Sequence, residues 1–229
     1  MKTRSTYGPE VARRAQRVIA DVFAAMGRRT RHALLVGGAV PGLLEDIALS
    51  GAPGHAGTID ADILLDPNVF GSDDYATLAE RLLERGYRYR RDADGNDLQF
   101  SFEVDAEGHA VVVDFRLVDV PGFVVLKAHA FEDRQAPNDA YDLCYVLAYA
   151  KEGPAAIADR LARHAGDSEV ARAVDCLRTA FASPDTAGSV AVAVFEEARG
   201  EEAEQQAALA YAVVQSFLKW WDAKERGHL

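Results

Sequence analysis

The run at residues 58–65 constrains this chain more than any other segment, because it is apolar enough to read as a strand yet carries carboxylates at Asp60 and Asp62. Side chains alternate across a strand, so these two acids share one face. Like charges on a buried face are too costly unless a cation neutralises them. A third acid, Asp114, interrupts the apolar residues Val111, Val112, Val113 and Phe115 in what reads as another strand. Three carboxylates on adjacent strands would form an oxygen-rich, negative site suited to magnesium.

The pattern around these acids alternates strand and helix. Val11, Ala15, Val18, Ile19, Val22, Phe23 and Met26 recur at helical spacing after Pro9, which predicts an amphipathic helix. Residues 32–36 form a short apolar run ending in Gly37-Gly38, residues 39–49 read as a second helix, and residues 50–57 are rich in turn formers. A helix is expected over 73–85, stopped by Gly86. Strands are expected over 87–91, paired through the Asp94-Gly95 turn, over 98–104, where apolar and polar residues alternate, and over 110–118 after a Glu107-Gly108 turn.

Beyond Pro121 the character changes to helix, over 122–133, 138–151, 154–164, 168–182, 188–199 and 203–224. In the last, Leu209, Val213, Phe217 and Trp220 mark one apolar face. The expected fold class is α+β, with a mixed sheet and flanking helices over 1–120 followed by an all-helical domain over 121–229. No repeat or low-complexity linker separates the halves, so they are expected to pack tightly.

Composition narrows the function. A 229-residue chain that is 49% hydrophobic can bury one good core or two small ones. No run of about 18 apolar residues and no apolar N-terminal stretch is present, so a cytoplasmic location without membrane contact is expected. Cys144 and Cys176 are too far apart for a ligand pair, and the six histidines lack zinc-site spacing. The net charge of −11 argues against indiscriminate duplex binding. It conceals an asymmetry, because residues 1–31 carry +6 and the remainder −17. A basic surface and a solvated helix face are both consistent with that segment.

Gly37-Gly38 ends one strand and opens the next helix, where bare backbone N–H groups can meet anionic oxygens. Alone, this pair and the Asp-x-Asp strand are both common. In order, Leu34-Leu-Val-Gly-Gly38, Thr58-Ile-Asp-Ala-Asp-Ile63 and Val112-Val-Asp-Phe115 resemble the DNA polymerase β-like nucleotidyltransferases. Val125-Leu-Lys-Ala-His-Ala-Phe-Glu-Asp-Arg134, Pro137 and Asn138-Asp-Ala-Tyr-Asp-Leu143 further resemble the Lys, Arg and Asp-x-x-Asp helices of the AbiEii-type branch, which includes toxins of toxin-antitoxin systems. The resemblance covers about residues 32–150.

The resemblance implies a polymerase β-like mixed sheet completed by a helical domain that closes the nucleotide cleft. It implies Gly37, Gly38 and Thr58 at the triphosphate of an NTP substrate. Asp60, Asp62 and Asp114 would be catalytic ligands of two Mg2+ ions, Asp114 also activating the acceptor hydroxyl. Lys127 would contact phosphate, and Asp139 and Asp142 would either orient Lys127 and Arg134 or close the nucleotide pocket. As plain helix-start acids, Asp139 and Asp142 would equally favour the dipole. The chain departs from the branch at Ala39 after the glycines, at Ala56 with His55 beside it, and at Asn138 before the late Asp. These departures spare the acidic triad and fall on the triphosphate side.

Three functions are therefore expected to compete. The first is magnesium-dependent transfer of an NMP from NTP to tRNA or other RNA by a toxin-like enzyme, with a cognate antitoxin as possible partner. The second is a small-molecule, antibiotic-type nucleotidyltransferase, which suits the acidic composition. The third is a catalytically weak homologue that binds nucleotide or a partner.

Overall fold

The computed structural model describes residues 3–44, 53–58, 60–85, 87–91, 98–101 and 115–227. The chain is mixed α+β and predominantly helical. Helix α1 (Pro9–Met26) leads through a 3₁₀ stretch at Gly27–His32 into β1 (Ala33–Val36). Strand β2 (Asp62–Leu65) and helix α2 (Ser72–Glu84) follow, then β3 (Arg88–Arg91), β4 (Leu98–Ser101) and β5 (Arg116–Leu117). Six helices complete the chain: α3 (Val120–Arg134), α4 (Pro137–Tyr149), α5 (Gly153–Ala162), α6 (Ser168–Ala180), α7 (Ala187–Phe195) and α8 (Glu201–Glu225).

Strand β1 is central in a three-stranded mixed sheet of order β2-β1-β5. It runs antiparallel to β2, pairing Leu35 with Ile63 and Val36 with Asp62, and parallel to β5, pairing Leu34 with Arg116. Strands β3 and β4 form a separate antiparallel pair. The antiparallel register brings the end of β1, where Gly37 begins, beside the start of β2. Leu35 and Val36, which point to opposite faces of β1, are both buried, so this central strand is covered on its two sides.

One hydrophobic core runs from Ile19, Phe23 and Met26 of α1 through Leu35 and Val36 of β1 into α3 to α8. Helix α3 packs on α4 and α6, α4 on α7, and α8 on α5 and α7. Ala25, Leu82 and Tyr87 form a smaller cluster under α2. Asp119 caps α3 by accepting from the Gly122 N–H at 3.1 Å, so the helix starts two residues before the expected position.

Three expectations are revised. The helix expected over 39–49 starts as a 3₁₀ turn at Gly37–Ala39 followed by a turn through Pro41 and Gly42, both poor helix formers; residues 45–49 lie outside the described set. The strand expected from residue 58 begins at Asp62, because the Asp60 N–H turns back to the Thr58 hydroxyl at 3.2 Å instead of joining the ladder. The buried stripe of α8 is Ala207, Ala210, Val214, Phe217 and Trp221, whereas Leu209 and Trp220 are exposed and Val213 is partly buried. Small alanines let the helix axes approach closely, and this turns the larger Leu209 outward. The expected turns at Asp94-Gly95 and Glu107-Gly108, and Gly86, also lie outside the described residues.

Candidate functional site

The sheet and the α3–α4 hairpin enclose a cleft of about 330 Å3. It is lined by Gly38, Thr58, Asp60 and Asp62 on the sheet side and by Lys127, Arg134, Asn138 and Asp142 on the helical side. Tyr7 and Phe195 add an aromatic wall. The cleft therefore gathers most of the residues singled out from sequence. Asp114 lies outside the described residues.

The two-residue link between α3 and α4 is made by Gln135, in the left-handed region at φ 48°, and Ala136. This tight reversal sets the two helices antiparallel and brings Lys127 and Arg134 against the start of α4. Lys127 Nζ donates to Asp139 Oδ1 at 2.8 Å and lies 2.7 Å from Asp142 Oδ2. Arg134 grips the other side of Asp139, with Nε at 2.6 Å from Oδ2 and Nη2 at 2.8 Å from Oδ1. Asp139 is fully buried and does not line the cleft, so its place is behind Lys127 and Arg134. Its acidic side chain in the first turn of α4 also suits the helix dipole.

The charges in this cluster stabilise one another. Burial opposes charge on Lys127, but Asp142 and Asp139 outweigh it and raise the pKa above the ordinary lysine value. Burial likewise pushes Asp139 upward, and the Arg134 hydrogen bond together with Lys127 more than reverses it, leaving its carboxyl below the usual range. Lys127, Arg134 and Asp139 therefore stay ionised at neutral pH.

Asp142 also holds His55. The Gly57 N–H donates to His55 Nδ1 at 3.1 Å, so Nε2 carries the proton and donates to Asp142 Oδ1 at 2.9 Å. The His55 side chain is buried beside the rings of Tyr141 and Tyr145. Tyr141 Oη accepts from the Ala56 N–H at 3.2 Å, and Tyr145 Oη donates to the Pro53 carbonyl at 2.8 Å. The segment 53–58, which leads to the acidic strand, is thus pinned to α4 at Pro53, His55 and Ala56. Sequence patterning marked His55 only as a neighbour of Ala56, because such a cross-chain anchor leaves no periodic signature.

Just before Gly38 of the opposite wall, Gly37 takes φ +75°, and a side chain there would collide with the Asp62 carboxylate. Glycine is required for that approach. At Gly38 a Cβ would stand 3.2 Å from Thr58 and 3.3 Å from Asp142 Oδ2. The walls of the cleft strip water from Asp62 although it remains open to solvent, and this desolvation, then the like charge of Asp60, raises its pKa. Arg134 and Lys127 pull in the opposite direction more weakly.

Among the described residues no group of three or more His, Cys, Asp or Glu side chains is arranged to hold a metal ion. On donor chemistry, Asp60 and Asp62 offer the hard, anionic oxygens that magnesium prefers, and both face the cleft. Among the described residues the cations lining the cleft, Lys127 and Arg134, are engaged by Asp139 and Asp142, while Asp60 and Asp62 add further negative charge. The cleft is therefore poised to attract cations.

Arg28, Arg29 and Arg31 do not reach it. They precede β1, whereas Gly37 and Gly38 follow it, and four strand residues span about 13 Å. Arg29 is paired with Asp74. Cys144 and Cys176 are buried thiols away from the cleft lining. No helix among the described residues is long and apolar enough to cross a membrane. The chain matches no protein-family model, no curated protein and no solved structure.

Two measurements check these electrostatics. Lys127→Ala leaves Asp139 and Asp142 with an uncompensated buried charge, so urea unfolding is expected to show a loss of about 3–5 kcal/mol. A loss under about 1 kcal/mol, the range of a surface pair, contradicts this bridge. The raised pKa of Asp62 means that its ionisation opposes folding as pH rises through that value. Asp62→Asn is expected to raise Tm near pH 7 and to leave it unchanged near about pH 3, where the wild-type carboxyl is already protonated. An equal shift at both pH values contradicts that cause.

Proposed function

We propose that the chain is a polymerase β-like nucleotidyltransferase that transfers an NMP from NTP to an acceptor hydroxyl. The observation that carries this reading is one cleft combining the solvent-facing carboxylates Asp60 and Asp62, Gly38 just past a strand end, and the cations Lys127 and Arg134 held by buried acids. Under this reading residues 1–120 form the nucleotidyltransferase domain, and residues 121–229 supply the helical wall. Magnesium on Asp60, Asp62 and Asp114 would supply the positive charge that orients the hydroxyl and offsets charge on the leaving pyrophosphate.

The chain's own residues divide the remaining work. Gly37 and Gly38 let the phosphates approach the backbone without a side chain in the way. Lys127 and Arg134, held in fixed orientations by Asp139 and Asp142, offer directed N–H donors to phosphate oxygens. Thr58 holds the turn at Asp60 through its hydroxyl. His55 is a positioning residue, because both of its ring nitrogens are engaged within the protein.

The acceptor divides two readings. The AbiEii-type resemblance favours tRNA or another RNA, with an antitoxin as a possible partner. A small-molecule acceptor is favoured by the position of Arg28, Arg29 and Arg31 beyond the far end of β1, where they offer the cleft no rim for a phosphate backbone.

Incubation with magnesium, each labelled NTP and either total bacterial RNA or a pool of hydroxyl-bearing small molecules is expected to give label on one acceptor class. Asp60→Asn, Asp62→Asn and Asp114→Asn are each expected to remove nearly all transfer while leaving the fold intact, because the three act as a unit. Undiminished transfer by any one of them refutes the assignment. Label on neither class with the wild-type protein counts against transfer altogether.

A further inference from the structure

The N-terminal segment ahead of α1 is a strap tied across the helical wall. Arg4 Nη1 donates to Glu196 Oε1 at 2.7 Å and to Tyr141 Oη at 3.4 Å, while Arg4 Nη2 reaches the Gly54 carbonyl at 3.3 Å. The Ser5 N–H donates to Glu197 Oε2 at 2.9 Å. Glu197 itself sits in the left-handed region at φ 60°, a conformation uncommon for a non-glycine residue. Arg4 thus ties together the end of α7, the α4 tyrosine and the segment leading to the acidic strand.

The strap delivers Tyr7 to the cleft. Its ring is the outer member of an aromatic series. Tyr7 lies 5.8 Å from Phe195, Phe195 stacks on Tyr141 at 4.3 Å, and Tyr141 stacks on His55 at 5.3 Å. Phe195 is buried behind it, whereas Tyr7 is only partly buried. Desolvation, then the nearby charges of Asp142 and Asp60, raises the pKa of the Tyr7 hydroxyl above the ordinary phenol value. Ala136 and Pro137 extend the apolar lining, and Asn138 adds an amide that can both donate and accept.

An apolar, ring-faced wall beside paired carboxylates and two cations matches a ligand with a flat aromatic part and a polyanionic part. We infer that the N-terminal strap is the nucleobase subsite of the cleft, with the Tyr7 ring as the surface on which the base of a nucleoside triphosphate stacks. This rests on the nucleotidyltransferase reading and names what the cleft selects: a nucleoside triphosphate over a bare polyphosphate. Stacking uses the ring and not the hydroxyl, so phenylalanine serves in place of Tyr7.

Binding of ATP, GTP, CTP, UTP and inorganic tripolyphosphate to the full chain is measured by calorimetry with calcium as a non-catalytic cation. The wild-type protein is expected to bind at least one nucleoside triphosphate more tightly than tripolyphosphate. Tyr7→Ala is expected to weaken that nucleotide roughly 5- to 150-fold, the range for loss of one base–aromatic stack, and to leave tripolyphosphate binding unchanged. Tyr7→Phe is expected to retain both. The inference is overturned if Tyr7→Ala weakens both ligands equally, if it weakens neither, if Tyr7→Phe behaves like Tyr7→Ala, or if the wild type shows no preference for the nucleoside. Binding of neither ligand class by the wild type instead overturns the nucleotidyltransferase reading itself.

Discussion

The Lys127 ammonium, buried between Asp139 and Asp142, is the contact on which the arrangement of the cleft depends. A buried ion pair is not in itself a strong source of stability, because desolvation offsets much of the attraction. Its consequence is geometric. With Lys127 fixed, α3 and α4 are locked in register at the point where both meet the sheet. Asp139 then turns Arg134 toward the cleft, and Asp142 reaches past Lys127 to His55.

From that anchor the order spreads in two directions. Through His55, Tyr141 and Tyr145 it fixes residues 53–58 and hence the approach to Asp60 and Asp62. Through Tyr141, Phe195 and Arg4 it reaches the N-terminal strap and Tyr7. Polar groups buried this densely are tolerated because each carboxylate and ring nitrogen in the series has a partner. The cations of the cleft are largely neutralised by this support, whereas Asp60 and Asp62 crowd one another on the open side. In the proposed reading, that imbalance makes a divalent cation a precondition for a polyphosphate to enter.

Much of the fold was legible in the sequence because burial leaves a period. The spacing of Ile19, Phe23 and Met26 gave α1 its boundaries and its buried face, and every helix after Pro121 lies within a few residues of its expected span. The register of α8 was not legible, since hydrophobicity alone favours Leu209 over Ala210 and close helix packing reverses that choice. The lining of the cleft was legible where charge interrupts an apolar run, as at Asp60 and Asp62, and where Gly38 follows a strand end. Tyr7, Arg4 and the role of His55 were not, because each acts across the chain from an irregular segment. The third acid, Asp114, rests on sequence alone.

The central claim is that this cleft binds a nucleotide through a cation it must first attract. Calorimetric titration of the full chain with the four nucleoside triphosphates, in magnesium and again after chelation, tests it most directly. The account predicts saturable binding in magnesium that disappears on chelation and returns when magnesium is restored. Binding of equal affinity with and without the ion would contradict it, because among the described residues the cleft cations Lys127 and Arg134 are already engaged by Asp139 and Asp142, and Asp60 and Asp62 repel a bare triphosphate.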